Sequence, residues 1–177
     1  MLFRSGPGNL EALTAGTGSG GELLLDAGSL RISNGTRLAA TSTGSGKAGS
    51  VHFNVAELTL SSEVTIAAGA SRTGASGSVD VAASGPVILM AGSFIGVQSR
   101  VGDAGSVTVN SGNKVELRGR SEINASAAAS GGTISISSGN KIELHGESEI
   151  NASAGANGGT ILFDARDRVV VDHSGVL

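Results

Sequence analysis

The amino-acid sequence predicts an all-β fold, a right-handed parallel β-helix with three strands per turn and about six turns of 27–28 residues. The first observation is a repeat: the stretch 111–136, SGNKVELRGRSEINASAAASGGTISI, returns at 138–163 as SGNKIELHGESEINASAGANGGTILF, with 19 of 26 positions identical. The second is a ladder of glycines at intervals of 28, 28, 28, 27 and 27 residues: Gly21, Gly49, Gly77, Gly105, Gly132 and Gly159. The third is that apolar residues fall two apart after each glycine, which is the period of a β-strand. Together they indicate stacked repeats that bury their apolar faces against one another.

Composition narrows the class of protein. The chain has 29 glycines, four Phe and no Cys, Trp or Tyr, so the core is expected to be aliphatic. Without cysteine, disulfides, thiolate metal sites and thiol catalysis are excluded. A net charge of −3 with scattered Lys and Arg predicts no nucleic-acid partner. The longest apolar run, 87–91, is too short to cross a bilayer, so no membrane span or targeting segment is expected.

Each turn is predicted to contain three strands. The first strand has the inward pairs Leu23/Leu25, Val51/Phe53, Val79/Val81, Val107/Val109, Ile134/Ile136 and Ile161/Phe163. The second begins seven or eight residues later, with Leu30/Ile32, Leu58/Leu60, Val87/Leu89, Val115/Leu117, Ile142/Leu144 and Val169/Val171. The third contributes one inward position six residues further on: Leu38, Ile66, Ile95, Ile123, Ile150 and Leu177.

The corners between strands consist of Gly, Ser, Asn and Asp, which tolerate left-handed or tight-turn backbone. Asn113, Asn140 and Asp167 are predicted to stack at the same corner of successive turns. With no helical pattern between the strands, each strand is expected to pair in parallel with its counterpart one turn later. The usual handedness of parallel crossovers predicts a right-handed coil.

Two regions are distinguished along the chain. Residues 1–19 are expected to supply part of a preceding turn, with Leu10 or Leu13 as its inward position, and residues 20–177 the β-helix repeat domain. Both ends would leave strand edges unpaired.

The C-terminal end is apolar on positions that earlier turns keep polar, since Leu162 and Val170 replace Ser135 and Glu143. We expect further repeats of the same parent chain to cover this edge. The isolated fragment is then expected to self-associate end to end.

Units such as residues 102–132, GDAGSVTVNSGNKVELRGRSEINASAAASGG, carry a family resemblance. A small-residue turn, a VTV-type strand, a short corner, a VEL-type strand and SEINAS resemble the repeats of filamentous haemagglutinin-like exoproteins secreted by the two-partner route. The resemblance covers residues 20–177 and does not include the family's N-terminal secretion domain with its Asn-Pro motifs. It implies an extracellular or cell-surface stalk of a Gram-negative bacterium.

Stacked turns place equivalent outward side chains in columns. One such column holds Lys114, Lys141 and Arg168 beside Glu116 and Glu143. The two carboxylates would suit cleavage or binding of a polysaccharide. Acid/base catalysis, however, needs two carboxyl groups in different environments, and equivalent sites provide no reason for their pKa values to differ. A solvated charge ladder is therefore the favoured interpretation.

A second column holds Arg118, His145 and Asp172. A His beside an Asp suggests catalysis or metal binding, yet no Ser nucleophile shares the column, and His52 and His173 belong to others. Surface variation is the favoured interpretation.

Two glycine-rich motifs approach known ligand loops. The sequence GSGK at 44–47 ends almost like a phosphate loop, but Ala48 follows where Ser or Thr is required. Asp103 follows a glycine as in calcium-binding repeats, but a single Asp cannot enclose the ion. Neither motif predicts a site.

Three asparagines fit the N-glycosylation pattern, namely Asn34, Asn124 and Asn151. The latter two flank the inward Ile123 and Ile150 and are predicted to form an outward Asn column.

The sequence therefore predicts no catalytic, cofactor-binding or metal-binding residue, and no cofactor. The leading hypothesis is a non-enzymatic rod segment of a large secreted or cell-surface adhesin, whose partners are further repeats and host-cell or surface glycans or proteins. The alternative is a pectate-lyase-like protein that binds or cleaves polysaccharide, but it needs long loops around a cleft, and these loops are short. An ice-binding face needs a regular Thr or Asn array, which the outward first-strand column lacks: Leu24, His52, Asp80, Thr108, Ser135 and Leu162.

Overall fold

A computed structural model describes residues 8–177, and these form 17 β-strands and no helix. The strands are β1 (Asn9–Thr14), β2 (Glu22–Ser33), β3 (Arg37–Ser42), β4 (Ser50–Ser61), β5 (Thr65–Ala67), β6 (Ser78–Ala83), β7 (Val87–Met90), β8 (Phe94–Gly96), β9 (Ser106–Ser111), β10 (Val115–Arg118), β11 (Glu122–Asn124), β12 (Thr133–Ser138), β13 (Lys141–His145), β14 (Glu149–Asn151), β15 (Thr160–Ala165), β16 (Arg168–Asp172) and β17 (Gly175–Val176). Accordingly, this part of the chain has no helix long and apolar enough to span a bilayer.

The strands coil into a β-solenoid of about six turns. A seven-stranded sheet stacks the third strands in the order β1-β3-β5-β8-β11-β14-β17, and a ten-stranded sheet contains the first and second strands. Each strand pairs in parallel with its counterpart one turn away; Ile134, for example, lies between Val107 and Ile161. The predicted all-β, parallel, coiled architecture is confirmed. The right-handedness of the coil stays a prediction.

The core is a column of mostly aliphatic side chains inside the coil, with Phe53 fully buried among them. The inward residues of the central turns are fully buried, as at Val79, Val107 and Ile134. The inward Val169 and Val171, in the last turn of the described residues, are 42 % and 46 % exposed. At the other end Leu10 pairs with the inward Leu38, whereas Leu13 pairs with the outward Thr41. Leu10 is therefore the inward residue of the two.

The separation between first and second strands differs along the chain. In the first two turns β2 and β4 run through the predicted corner as single strands of 12 residues, so the prediction of two strands there is wrong. The inward residues that flank the corner are five apart in these turns, as from Phe53 to Leu58, and six apart from the third turn on, as from Val81 to Val87. From the third turn on, the extra residue loops out of the sheet and interrupts the hydrogen bonding between strands. The single strand β4 therefore pairs with two separate strands of the next turn, β6 and β7.

The corner between second and third strands is built from left-handed backbone. Each of five turns has two consecutive residues of positive φ: Asn34/Gly35, Ser62/Glu63, Ala91/Gly92, Gly119/Arg120 and Gly146/Glu147. In most turns a hydroxyl closes the corner, as where Ser121 Oγ donates to the carbonyl of Arg118 at 2.9 Å. At the other corner the backbone N–H of Asp167 donates to the carbonyl of Asn140 at 2.7 Å, which accords with the predicted stacking of these residues.

The third strand of the last turn departs from the predicted spacing. Ile150 pairs with Val176, not with Leu177, so the assignment of Leu177 as the sixth inward residue is wrong. This turn has one left-handed residue at its corner, His173 with φ 48°, where the others have two. The shorter corner brings the third strand forward by one residue.

Candidate functional site

The largest concentration of paired charges lies on the outer face of the second strands. Glu116 accepts a 2.7 Å hydrogen bond from Lys114 Nζ and lies 3.2 Å from Arg118 Nη1. These neighbours cover the carboxylate, and Glu116 as a whole is only 9 % exposed. The expectation of a solvated carboxylate is thus wrong for Glu116, because the side chains beside it exclude water.

The next turn repeats this arrangement at Glu143, which stacks on Glu116. Its Oε1 accepts a 2.8 Å hydrogen bond from Lys141 Nζ and lies 3.7 Å from Arg168 Nη2. The hydrogen bond from Lys141 lowers the pKa of Glu143 below its ordinary value of 4.5, and the charges of Lys141, Arg168 and His145 act in the same direction against the opposing effect of burial. The carboxylate is held as an anion, whereas a general acid needs a raised pKa.

The column of Arg118, His145 and Asp172 forms an ionic contact only at its C-terminal end. Asp172 Oδ2 lies 3.8 Å from His145 Nδ1, and its Oδ1 lies 2.7 Å from Nδ1 of the adjacent His173. His173 is highly exposed, and within residues 8–177 no group of three His, Cys, Asp or Glu could hold a metal ion. The arrangement forms a surface ion pair and no enclosed site.

A histidine between two carboxylates was not foreseen from the sequence. His52 Nδ1 lies 3.3 Å from Asp80 Oδ2, and its Nε2 lies 3.5 Å from Glu22 Oε1. Asp80 is the next member of the outward column, but Glu22 reaches His52 diagonally from the preceding turn. Because the two ring nitrogens point in different directions, the arrangement links three turns and does not chelate one ion.

The asparagines of the glycosylation pattern have structural contacts. Asn124 donates to Glu122 and accepts a 2.7 Å hydrogen bond from the Ser126 N–H. Asn151 repeats both contacts at 2.8 Å each, with Glu149 and Ser153. They form the predicted outward column, and Asn124 is buried beneath its neighbours.

The glycine-rich loops are shaped by backbone packing. A Cβ on Gly44 or Gly46 would collide with the carbonyl oxygens of Gly16 and Gly18 in the preceding turn. The carbonyl of Lys47 accepts a 2.8 Å hydrogen bond from the N–H of Gly20. Close stacking of the loops accounts for these glycines without a phosphate ligand.

The comparison with protein families yields a match over one part of the coil. Residues 74–146 match the family described as the haemagglutinin repeat. No curated protein and no solved structure matches the chain. The matched segment extends from the loop before β6 to the corner after β13, so it comprises two full turns and the beginning of a third. Residues 74–146 of this β-solenoid are therefore a filamentous haemagglutinin-like repeat region.

Proposed function

We propose that the chain is a non-enzymatic rod segment of a large secreted or cell-surface haemagglutinin-like exoprotein that mediates or supports adhesion. The single observation that carries this proposal is the unbroken parallel register of the turns, from β1 on β3 to β14 on β17. Each turn adds about 4.8 Å of length, so six turns extend about 29 Å. A coil of this kind suits a spacer, because its length increases in proportion to the number of repeats.

The ion pairs of the outward carboxylates favour a non-enzymatic rod over an enzyme that cleaves polysaccharide. Glu116 and Glu143 each bind two cationic side chains and occupy equivalent positions one turn apart. Cleavage of a glycosidic bond by two carboxyl groups requires one of them to be protonated at the working pH. The lowered pKa of Glu143 is the opposite of that requirement.

Two-partner secretion and placement on the outer surface of a Gram-negative bacterium form part of the proposal, and they rest on the family resemblance. Protease treatment of intact cells that express the parent protein tests this placement. We expect an antibody raised against residues 8–177 to lose its signal, while a cytoplasmic marker in the same cells is unaffected. A signal that survives treatment of intact cells and disappears only after lysis would contradict the proposal.

A polysaccharide-cleavage assay tests the non-enzymatic character. We expect no new reducing ends when the purified chain is incubated with polyuronates and neutral glucans, and no difference between the wild type and the variants Glu116→Ala and Glu143→Ala. Turnover by the wild type that either variant abolishes would establish the enzyme alternative.

A further inference from the structure

We propose that the outer face of the seven-stranded sheet carries a binding groove for an acidic oligosaccharide, with Phe94 and Arg100 as its main contacts. The inference rests on the proposed adhesive function, because it identifies the class of surface ligand that the rod itself would contact. The groove has a volume of ≈ 380 Å³.

One wall of the groove is a single row of side chains from the third turn. Beginning at β8, the chain alternates, and Ile95, Val97 and Ser99 are buried in the core. Their neighbours therefore lie on the outside, in the order Phe94, Gly96, Gln98 and Arg100. An aromatic ring, an amide and a guanidinium thus follow one another along one extended segment.

The floor is flat because the adjoining positions carry little or no side chain. Ala67 pairs with Gly96. A Cβ on Gly69 would approach the carbonyl oxygen of Gln98 to 2.8 Å, so backbone packing enforces glycine there. The ring of Phe94 occupies the space that a Cβ on Gly96 would need. The ring therefore lies against the sheet, beside the floor.

The opposite wall comes from β3 and β1, which lie two and three turns before β8. Arg37 Nη2 lies 3.6 Å from Glu11 Oε1, and Thr41 Oγ1 donates to the same oxygen at 3.1 Å. The row of Arg37 and Thr41 is separated from that of Phe94 by two strand spacings, about 10 Å. The strand between these rows places Thr65 between Arg37 and Phe94, so the open part of the groove lies above Ala67 and Gly69.

The aromatic wall distinguishes this turn from its neighbours. In the next two turns the equivalent positions hold hydrogen-bonded Glu and Asn, such as Glu122 with Asn124. The other two phenylalanines in the described part of the chain face the core, Phe53 fully buried and Phe163 packed at its edge. Phe94 is thus the outward aromatic side chain of residues 8–177, and a half-buried ring offers an apolar surface to a ligand.

The charge of the groove selects an anionic ligand. Glu11 is occupied by Arg37 and Thr41, whereas Arg100 is exposed and forms no ion pair with any residue between 8 and 177. A guanidinium recognises a carboxylate through two parallel hydrogen bonds. Phe94 and Arg100 are six residues apart on an extended segment, about 20 Å, so they would contact different sugar rings of one chain. An oligosaccharide that contains uronic acid presents an apolar ring face for Phe94 and, further along, a carboxylate for Arg100.

Titration with a hyaluronan tetrasaccharide, followed by amide chemical shifts of the full 177-residue chain, tests the groove. We expect saturable shifts at Gly69 and Gly96, and binding to the neutral chitotetraose at least about tenfold weaker. Arg100→Ala should weaken binding of the tetrasaccharide about tenfold or more. Arg31→Ala, which removes another exposed arginine without an ion pair among the described residues, should change it less than about twofold.

A double variant tests the aromatic wall without disturbing the fold. Phe94→Glu with Gly96→Asn rebuilds the Glu and Asn pair of the neighbouring turns, so it should keep the unfolding temperature of the wild type and lose binding. Any of three results would overturn the inference. The first is that the amide shifts of Gly69 and Gly96 do not change, and the second is that the Arg100 and Arg31 variants lose affinity equally. The third is that chitotetraose or a polyglutamate peptide binds as tightly as the hyaluronan tetrasaccharide. If the chain neither binds nor cleaves hyaluronan, the proposed groove is refuted but the proposed function is not. If new reducing ends are released, the proposed function is contradicted whether or not the groove binds.

Discussion

The carboxylate of Glu143 and the ammonium group of Lys141 form a 2.8 Å hydrogen bond between residues two apart on the outer face of β13. The folded state lowers the pKa of Glu143 below 4.5, chiefly through this bond. A carboxyl group whose pKa is lowered on folding stabilises the fold above its unfolded pKa, and this stabilisation disappears as the pH falls through the lowered value.

We therefore expect the variant Glu143→Gln to be less stable than the wild type at pH 7, and the difference to shrink as the pH falls below 4.5. Urea unfolding at a series of pH values measures the difference in free energy. Glu57→Gln is a suitable control, because Glu57 is exposed and has no ion pair within residues 8–177. A difference for Glu143 that stays constant down to acid pH would contradict the role of this ion pair.

Substitutions on the two faces of β13 should differ strongly in their effect on stability. Ile142 is fully buried between Val115 and Val169, so Ile142→Asp places an unpaired carboxylate in the core and should cost more than about 4 kcal/mol. Glu143→Ala removes a hydrogen-bonded ion pair at the surface and should cost about 1–2 kcal/mol. Equal shifts of the denaturant midpoint would show that the assignment of inward and outward faces is wrong.

The inward and outward residues of β13 could be predicted from the sequence for a physical reason. Alternation with period two fixes which residues face the core, so Ile142 and its partners could be assigned from the repeat alone. The burial of Glu116 could not, because it depends on how the long side chains of Lys114 and Arg118 lie over the carboxylate.

The periodicity of the sequence could not predict the lengths of the corners either. Val176 replaces Leu177 as the inward residue because one left-handed position is missing from the last corner, and a fixed spacing of six residues after the second strand does not allow for that loss. The Phe94 groove did leave a signal in the sequence, since alignment of the repeats places Phe and Gly where later turns have Glu and Asn.

The left-handed corners offer a route to stabilisation. Ala91 has φ 55°, which is unfavourable for a residue with a Cβ. We expect Ala91→Gly to raise the free energy of unfolding by about 0.5–1 kcal/mol after the entropic cost of glycine is included. Ala56→Gly, within the extended β4, should lower it by a similar amount, and a stabilisation by both variants would refute the conformational argument.

The C-terminal edge should drive association of the 177-residue chain. Leu162 is 54 % exposed on β15, and Val170 lies at the position that Glu143 occupies one turn earlier. Unpaired strand edges with apolar side chains favour pairing with another chain. We expect the apparent mass from light scattering to increase with protein concentration.

The variant that combines Leu162→Ser with Val170→Glu restores the polar pattern of the earlier turns and should remain monomeric over a wider concentration range. Identical scattering from wild type and variant would show that these two side chains do not mediate association.

Spin-label distances between engineered cysteines test the stacked rod most directly, because the natural chain has no cysteine. Leu24, Ser135 and Leu162 lie in one outward column, with Ser135 four turns and Leu162 five turns from Leu24. At about 4.8 Å per turn, labels at Leu24 and Ser135 should be about 19 Å apart, and labels at Leu24 and Leu162 about 24 Å apart. An increase of about 5 Å between the two pairs is the predicted result, and equal or reversed distances would contradict the rod.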